Sequence, residues 1–216
     1  MKTLMQKPCG RKNIKNSEEE IMKYLELAQE RGKEGLSAMY WHINLLYWLV
    51  KIQKPLTIVE LGTGLGGSFL AMLQGIVENG SGHIYTIDVV DRTPYLQPAE
   101  QDKKYYSHIV GDVLSVPLIE NIDLLLVDDY HKLEHVTKEW ERWRGYVKVG
   151  GIIIFHDSLP RDSKGRVYAP SSPDGGTMEF LRILWNKEKD RFVRLFHYGA
   201  ELNGDRTGLE IWVKIK

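Results

Sequence analysis

One short segment constrains the fold more than any other: an apolar strand that ends in a glycine-rich turn and leads into a helix. Residues 59–68 read V-E-L-G-T-G-L-G-G-S. Glycines let the backbone turn tightly and approach a ligand without interference from a Cβ atom. The helix that follows offers unpaired N–H groups and the positive end of its dipole. The segment therefore predicts an α/β protein that binds a polar or anionic ligand group at this turn.

The rest of the chain repeats the alternation of apolar strands and helices. Strands are predicted at 57–62, 83–89, 107–111, 122–128, 150–156, 192–198 and 209–215. Helices are predicted at about 17–32, 37–51, 66–77, 133–146 and 177–186. This alternation is typical of a parallel sheet covered on both faces, and the last two strands can pair as a hairpin, so that one of them runs antiparallel. We predict a doubly wound, mostly parallel seven-stranded sheet with a terminal antiparallel hairpin and two N-terminal helices.

The composition excludes several classes of function. Among the 216 residues, Lys plus Arg and Asp plus Glu number 29 each, so no strong field favours nucleic acid or an anionic membrane. One cysteine, Cys9, cannot form an intramolecular disulfide. Residues 39–50 form the most apolar early stretch and are too short to span a bilayer, which takes about 20 residues. We expect a cytoplasmic protein that acts on a small molecule, with no nucleic-acid or membrane partner, and a homo-oligomer is compatible with this composition.

Acidic residues stand where four successive predicted strands end. They are Glu60, Asp88, Asp112 and Asp128. In doubly wound sheets, ligands bind beyond the carboxyl ends of the strands. An acid after the second strand is placed to accept hydrogen bonds from ribose hydroxyls, and Asp112 with Val113 would lie near an adenine edge. Glu60 suits the amino group of an amino acid, whereas it would repel a pyrophosphate.

The glycine-rich turn fits two motifs. Gly62, Gly64 and Gly67 match the dinucleotide fingerprint. Glu60, Gly62, Gly64 and Gly66 match E-x-G-x-G-x-G, and residues 56–216 as a whole resemble the class I S-adenosylmethionine-dependent methyltransferases. The resemblance implies that the cofactor is S-adenosylmethionine and that its ligands are Glu60, Gly62, Thr63, Gly64, Gly66, Ser68, Asp88, Asp112, Val113 and Asp128. The alternatives are an NAD(P)-dependent oxidoreductase that uses the same turn and a non-catalytic nucleoside-binding protein.

Two further strings resemble the small-molecule O-methyltransferase branch, which includes cephalosporin-hydroxylase-like and catechol-type enzymes. Residues 126–136 read L-V-D-D-Y-H-K-L-E-H-V, and residues 150–158 read G-G-I-I-I-F-H-D-S. The catechol type implies that Asp128 and Asp157 hold Mg²⁺ and that His131, in the position of its catalytic lysine, is the general base. Ser158 departs from the expected Asn, so Asp129 is a further candidate ligand. Helix capping by His131 and a surface position for His135 are the structural alternatives.

The sequence pattern and the resemblance together divide the chain into three expected parts. Residues 1–16 are expected to be a flexible leader, residues 17–54 two helices that cap the site, and residues 55–216 the S-adenosylmethionine-binding methyltransferase domain. The connection at 158–176 is long and rich in Pro, Gly and Arg. Because connections of this length are uncommon unless they are functional or mobile, we expect it to be a lid over the acceptor.

Overall fold

The computed structural model describes residues 22–34, 38–158, 175–199 and 208–216. The leader at 1–16, the predicted helix start at Ser17 and most of the predicted lid lie outside these residues. A seven-stranded sheet organises the described part of the chain, in the order β3-β2-β1-β4-β5-β7-β6. The strands are β1 Thr57–Leu61, β2 His83–Asp88, β3 Tyr106–Val110, β4 Ile122–Val127, β5 Val147–His156, β6 Phe192–Gly199 and β7 Gly208–Lys214.

The predicted fold class is confirmed. Strands β1 to β5 run parallel, β7 pairs antiparallel with β5, and β6 pairs antiparallel with β7. The α-helices are α1 Lys23–Lys33, α2 Ile43–Gln53, α3 Gly67–Asn79, α4 Thr93–Leu96, α5 Leu133–Trp143 and α6 Gly176–Glu188. None of the described helices combines the length and the apolar character that crossing a membrane requires.

Two apolar cores form because successive side chains of a strand point to opposite faces. In β5, Ile152 and Ile154 pack with α1, α2 and α3, whereas Ile153 and Phe155 pack with α5 and α6. Strands buried on both faces therefore show the continuous apolar runs from which the sheet was predicted. The second core contains an aromatic group made of Trp140, Phe155, Phe180, Phe192 and Trp212.

The structure shortens and divides some predicted elements. The predicted second helix begins as a 3₁₀ turn at Ala38–His42 and becomes α-helical only in α2. The predicted helix at 133–146 is α5 followed by a 3₁₀ turn at Arg144–Tyr146. Strand β5 begins at Val147, three residues before the prediction, because a register shift against β4 admits an irregular stretch. The short helix α4 and the 3₁₀ turn at Glu100–Tyr105 were not predicted.

Candidate active site

The loop between β1 and α3 lies directly over the ends of the neighbouring strands. Gly62 has φ +90°, and its N–H donates to the carbonyl of Ile87 at 2.9 Å. A Cβ atom on Gly62 would lie 2.1 Å from the carbonyl oxygen of Asp128. Only glycine permits so close an approach in this conformation. Gly64 and Gly66 also have positive φ, at +52° and +79°, so the loop folds back across the carboxyl edge of the sheet.

Glu60 lies beneath this loop and is fully buried. The Ser68 hydroxyl donates to its Oε1 and the Thr86 hydroxyl donates to its Oε2, each at 2.5 Å. The hydroxyl of Thr63 lies 2.6 Å from that of Thr86. Burial raises the pKa of Glu60 to about 8 and outweighs the two hydrogen bonds. These contacts tie the loop to β1 and β2, and the predicted contacts of Glu60, Thr63 and Ser68 with the cofactor stay predictions.

Asp88, at the end of β2, lies against the same loop. Its Oδ2 accepts hydrogen bonds from the Gly64 N–H and from Nε of Arg92, both at 3.0 Å. Its Oδ1 accepts from the Val90 N–H at 2.9 Å. The carboxylate is thus fixed beside the glycine-rich turn, at the place where the sequence predicts a ribose ligand.

The end of β3 is joined to the end of β2. The Gly111 N–H donates to the carbonyl of Asp88 at 2.8 Å. Asp112 is exposed and its Oδ1 accepts from the Leu114 N–H, whereas Val113 is buried. The predicted adenine contacts of Asp112 and Val113 therefore concern one exposed carboxylate and one buried apolar side chain.

A cluster of two acids and two histidines lies where β4 and β5 end; we call it the strand-end cluster. Its members are Asp128, His131, His156 and Asp157. Nε2 of His131 lies 2.7 Å from Oδ2 of Asp157, and Nδ1 of His156 lies 2.8 Å from Oδ1 of Asp128 and 3.4 Å from Oδ2 of Asp157. Asp157 has φ +52°, a backbone conformation that costs energy outside glycine and is common at functional sites.

The charges of the strand-end cluster are strongly coupled. Burial opposes ionisation of His156, but the charges of Asp128 and Asp157 raise its pKa well above the ordinary value. Burial also disfavours the charged form of His131, but the hydrogen bond that its ring donates to Asp157 and the charge of Asp157 outweigh burial, so the pKa of His131 is raised too. The pKa of Asp157 lies well below its usual range because the two imidazoles outweigh the effect of its burial. In this cluster, two imidazoles therefore form ion pairs with two carboxylates.

His131 does not cap the helix that follows it. The N-cap of α5 is Lys132, which makes no side-chain capping hydrogen bond. The oxygens of Asp128 and Asp157 and a ring nitrogen of His131 lie within 4.8 Å of one another. Carboxylate and imidazole donors at this spacing fit a divalent ion. The buried Oγ of Ser158 has no hydrogen-bond partner among the described residues.

Asp129 belongs to a different group of side chains, which we call the helix cluster. It consists of Asp129, His135 and Glu139, whose ligand atoms also lie within 4.8 Å of one another. Nε2 of His135 is 3.0 Å from Oδ2 of Asp129 and 3.8 Å from Oε1 of Glu139. The structure therefore separates Asp129 from Asp128 and Asp157, the two acids with which the sequence grouped it. The ring of His135 points toward Asp129 and not toward an open surface.

The sequence reasoning missed three residues near the site. Arg31 of α1 is buried, and its Nη1 donates to the carbonyl of Leu65 in the glycine-rich loop at 2.6 Å. The ring of His42 packs edge-to-face against that of His156, with centroids 5.6 Å apart. Glu139 is buried on α5. Arg31 and His42 lie far along the chain from their partners and gave no signal, but the i, i+4 spacing of His135 and Glu139 was visible in the sequence.

A family match covers the elements that form this site. Residues 59–158 match a family model described as a methyltransferase domain. The match begins in β1 and ends after β5, so it includes the glycine-rich loop and the strand-end cluster. The match covers 100 of the 216 residues, slightly less than half of the chain. A match to a methyltransferase domain does not favour the NAD(P)-dependent oxidoreductase alternative.

One curated relative matches part of this chain. It is the uncharacterized protein y4gI of Sinorhizobium fredii, 24% identical over 156 residues that make up 63% of this chain. The chain spans only 17% of the length of that relative. Its name assigns no substrate or partner, so the acceptor has to be argued from the site.

Solved structures share the fold of this chain. The O-methyltransferase TomG of Streptomyces achromogenes, in complex with SAM, has a TM-score of 0.64 and 17% identity over 90% of each chain. A Bacillus cereus O-methyltransferase with SAH has a TM-score of 0.61 and 18% identity over 89% of this chain and 91% of that one. The N-methyltransferase NodS of Bradyrhizobium japonicum has a TM-score of 0.57 and 13% identity over 94% of this chain and 99% of that one. At these identities the likeness shows the fold alone.

Proposed function

We propose that the protein transfers the methyl group of S-adenosylmethionine to a hydroxyl oxygen of a small molecule. The observation that carries the proposal is the hydrogen bond between His131 and Asp157 at the carboxyl edge of the sheet, 2.7 Å long. A neutral amine already has a nucleophilic lone pair, whereas a hydroxyl gains most from a base that removes its proton. An oriented imidazole beside the cofactor crevice therefore favours oxygen as the methylated atom.

The cofactor would lie across the loop between β1 and α3. The backbone of Gly62, Gly64 and Gly66 leaves room for the methionine end, and the N-terminus of α3 favours its carboxylate. Asp88 would accept hydrogen bonds from the ribose hydroxyls, exchanging its contact with the half-exposed Arg92 for them. Asp112 and Val113 would contact the adenine. In this arrangement the sulfonium methyl group lies toward Asp128 and the strand-end cluster.

His131 would take the proton of the acceptor hydroxyl as the C–O bond forms and the S–CH₃ bond breaks. In the neutral ring, a proton on Nε2 is donated to Asp157, so Nδ1 keeps the lone pair that acts as base. Asp157 also stabilises the imidazolium that results. The other contribution to catalysis is positioning: holding the acceptor oxygen in line with the methyl group lowers the activation barrier by up to about 7–11 kcal/mol.

A metal ion is compatible with the same residues. Asp128 and Asp157 would hold Mg²⁺, which would lower the pKa of an acceptor hydroxyl and orient it. The imidazolium of His156 already faces both carboxylates, so it competes with any cation there. We therefore expect the affinity for Mg²⁺ to rise with pH as the histidines lose their protons.

The composition bears on the class of acceptor and on the compartment of the protein. A net formal charge of zero supports a small-molecule acceptor and no nucleic-acid partner. A single cysteine is compatible with a reducing compartment such as the cytoplasm.

The test is a methyl-transfer assay with the full chain, carbon-13-methyl S-adenosylmethionine, and matched phenol, alcohol and amine acceptors. The expected product carries the label on oxygen, as shown by mass spectrometry and carbon-13 NMR. His131→Gln should lower kcat about 10²–10⁴-fold and leave the affinity for S-adenosylhomocysteine unchanged. Labelled nitrogen together with full activity of the His131→Gln protein would overturn the proposal.

A further inference from the structure

The helix cluster stands apart from the residues that the proposed reaction uses. His135 and Glu139 are one turn apart on α5 and therefore share a face of the helix. Asp129, in the loop after β4, meets this face, with its Oδ2 3.0 Å from Nε2 of His135. The three side chains converge from two elements on a single point.

Among the described residues, the buried carboxyl group of Glu139 has one ion-pair contact, with His135. Its side chain is fully inaccessible, and neither Oε1 nor Oε2 has a hydrogen-bond partner within the described part of the chain. The nitrogen of His135 is 3.8 Å away, beyond hydrogen-bond distance. Leaving a buried polar group unsatisfied costs about 1–3 kcal/mol, and more for a charged one. A cation bound at this point would supply the missing partner for both carboxylate oxygens.

We propose that Asp129, His135 and Glu139 bind a divalent transition-metal ion of the Zn²⁺ class. Two ligands with bonds of about 2.1 Å at a tetrahedral angle stand about 3.4 Å apart. The separations of 3.0 and 3.8 Å around Nε2 of His135 bracket that value. Two carboxylates also cancel the charge of the ion, so the shell is neutral inside the protein.

The donor set favours a transition metal over Mg²⁺. Imidazole suits Zn²⁺, Fe²⁺, Ni²⁺ and Cu²⁺, whereas Mg²⁺ prefers an all-oxygen octahedral shell. Three protein ligands leave a fourth position for water. An ion here would join the loop after β4 to α5 across residues 130–132 and so hold the segment that contains His131.

The experiment titrates Co²⁺, a coloured substitute for Zn²⁺, into chelator-treated full-length protein that carries Asp157→Asn. This substitution weakens the strand-end cluster as a competing site. One equivalent of Co²⁺ should bind with the visible absorption of a nitrogen–oxygen shell. Glu139→Gln keeps the size of the side chain and should lower the affinity at least about tenfold. Glu134→Gln is the matched control, because Glu134 is an exposed acid on the same helix, paired with Lys138, and should leave the affinity unchanged.

His135→Gln provides a second variant at a partly exposed position, in case Glu139→Gln fails to fold. It should lose the Co²⁺ absorption to the same extent. Zn²⁺ should also raise the melting temperature of the Asp157→Asn protein but not of the variants that lack a ligand. The proposal would be overturned if the protein with only the Asp157→Asn substitution bound no Co²⁺. It would also be overturned if adding His135→Gln left Co²⁺ binding unchanged. Methyl-transfer activity is not used, so this result is independent of the proposed reaction.

Discussion

Glu60, a single residue beneath the glycine-rich loop, is expected to make the stability of this protein depend on pH. Glu60 is fully buried and its pKa is raised to about 8 by that burial. Its folded-state pKa is above the ordinary value near 4.5, so the folded state holds the proton more tightly than the unfolded state does. The stability from this group is complete below the ordinary pKa and is lost as pH rises through the folded pKa.

We therefore expect Glu60→Gln to flatten the pH dependence of unfolding. As pH rises from about 4.5 to 8, the wild type should lose stability relative to the variant. The difference between their free energies of unfolding should grow by on the order of 1 kcal/mol per pH unit. Urea unfolding followed by circular dichroism at a series of pH values measures this difference. Parallel pH profiles for the two proteins would show that Glu60 is ionised at neutral pH in the folded state.

The hydrogen bond between His131 and Asp157 sets the second prediction. Asp157 raises the pKa of His131 against the opposing effect of burial, so Asp157→Asn should lower that pKa below its wild-type value. NMR titration of the imidazole resonances in metal-free protein measures the shift. His83, whose pKa burial lowers at the far end of β2, is an internal control and should not move. An unchanged His131 titration would mean that Asp157 does not hold the ring.

Residue positions were more predictable than residue partners. The acids at the strand ends could be located because carboxyl ends of parallel strands meet at one edge. Their partners depend on side-chain directions that strand periodicity does not specify. Asp129 was grouped with its neighbour Asp128, yet it faces His135 on α5. Arg31 reaches Leu65 across 34 positions, a contact that no local pattern could reveal.

At the scale of elements, α6 is fitted tightly against the loop that contains His131. A Cβ on Gly176 would lie 2.1 Å from the carbonyl oxygen of His131 and 2.2 Å from the N–H nitrogen of Leu133. These neighbours are backbone atoms and cannot rotate away. The close approach of α6 therefore helps to fix the position of the proposed base.

Gly176→Ala should push α6 and this loop apart. We expect a loss of about 1–3 kcal/mol in the free energy of unfolding and a fall in methyl-transfer rate. The matched control is Gly145→Ala, since a Cβ at Gly145 would meet no atom within 4 Å, and its stability should change by less than about 1 kcal/mol. Equal free energies of unfolding for Gly176→Ala and Gly145→Ala would show that the close contact between α6 and this loop does not stabilise the protein.

Elements were predictable where hydrophobic periodicity extends over several residues. The core strands β1, β2 and β4 lie within one residue of their predicted bounds because both faces are buried and their apolar runs are continuous. Short elements such as α4 and Glu100–Tyr105 depend on single turns and give no periodic pattern. The 3₁₀ start at Ala38–His42 was likewise hidden, because one apolar run covers both it and α2.

At the scale of the whole molecule, the strand order accounts for the place of the site. Strand β1 is flanked by β2 on one side and β4 on the other, so the connections leaving β1 and β4 diverge. The crevice at such a switch point is where doubly wound sheets bind ligands. Arg31 and His42 from the N-terminal region contact Leu65 and His156 beside the same crevice. That residues 17–54 as a whole cover the site stays a prediction.

The central claim is that this crevice binds S-adenosylmethionine through the loop between β1 and α3. Isothermal titration of the full chain with S-adenosylhomocysteine and, separately, with NAD⁺ tests it most directly. We predict one equivalent of bound S-adenosylhomocysteine, no heat from NAD⁺, and loss of the S-adenosylhomocysteine signal in Gly62→Ala, where the added Cβ would meet the Asp128 carbonyl oxygen at 2.1 Å. Binding of NAD⁺ without binding of S-adenosylhomocysteine would contradict the account.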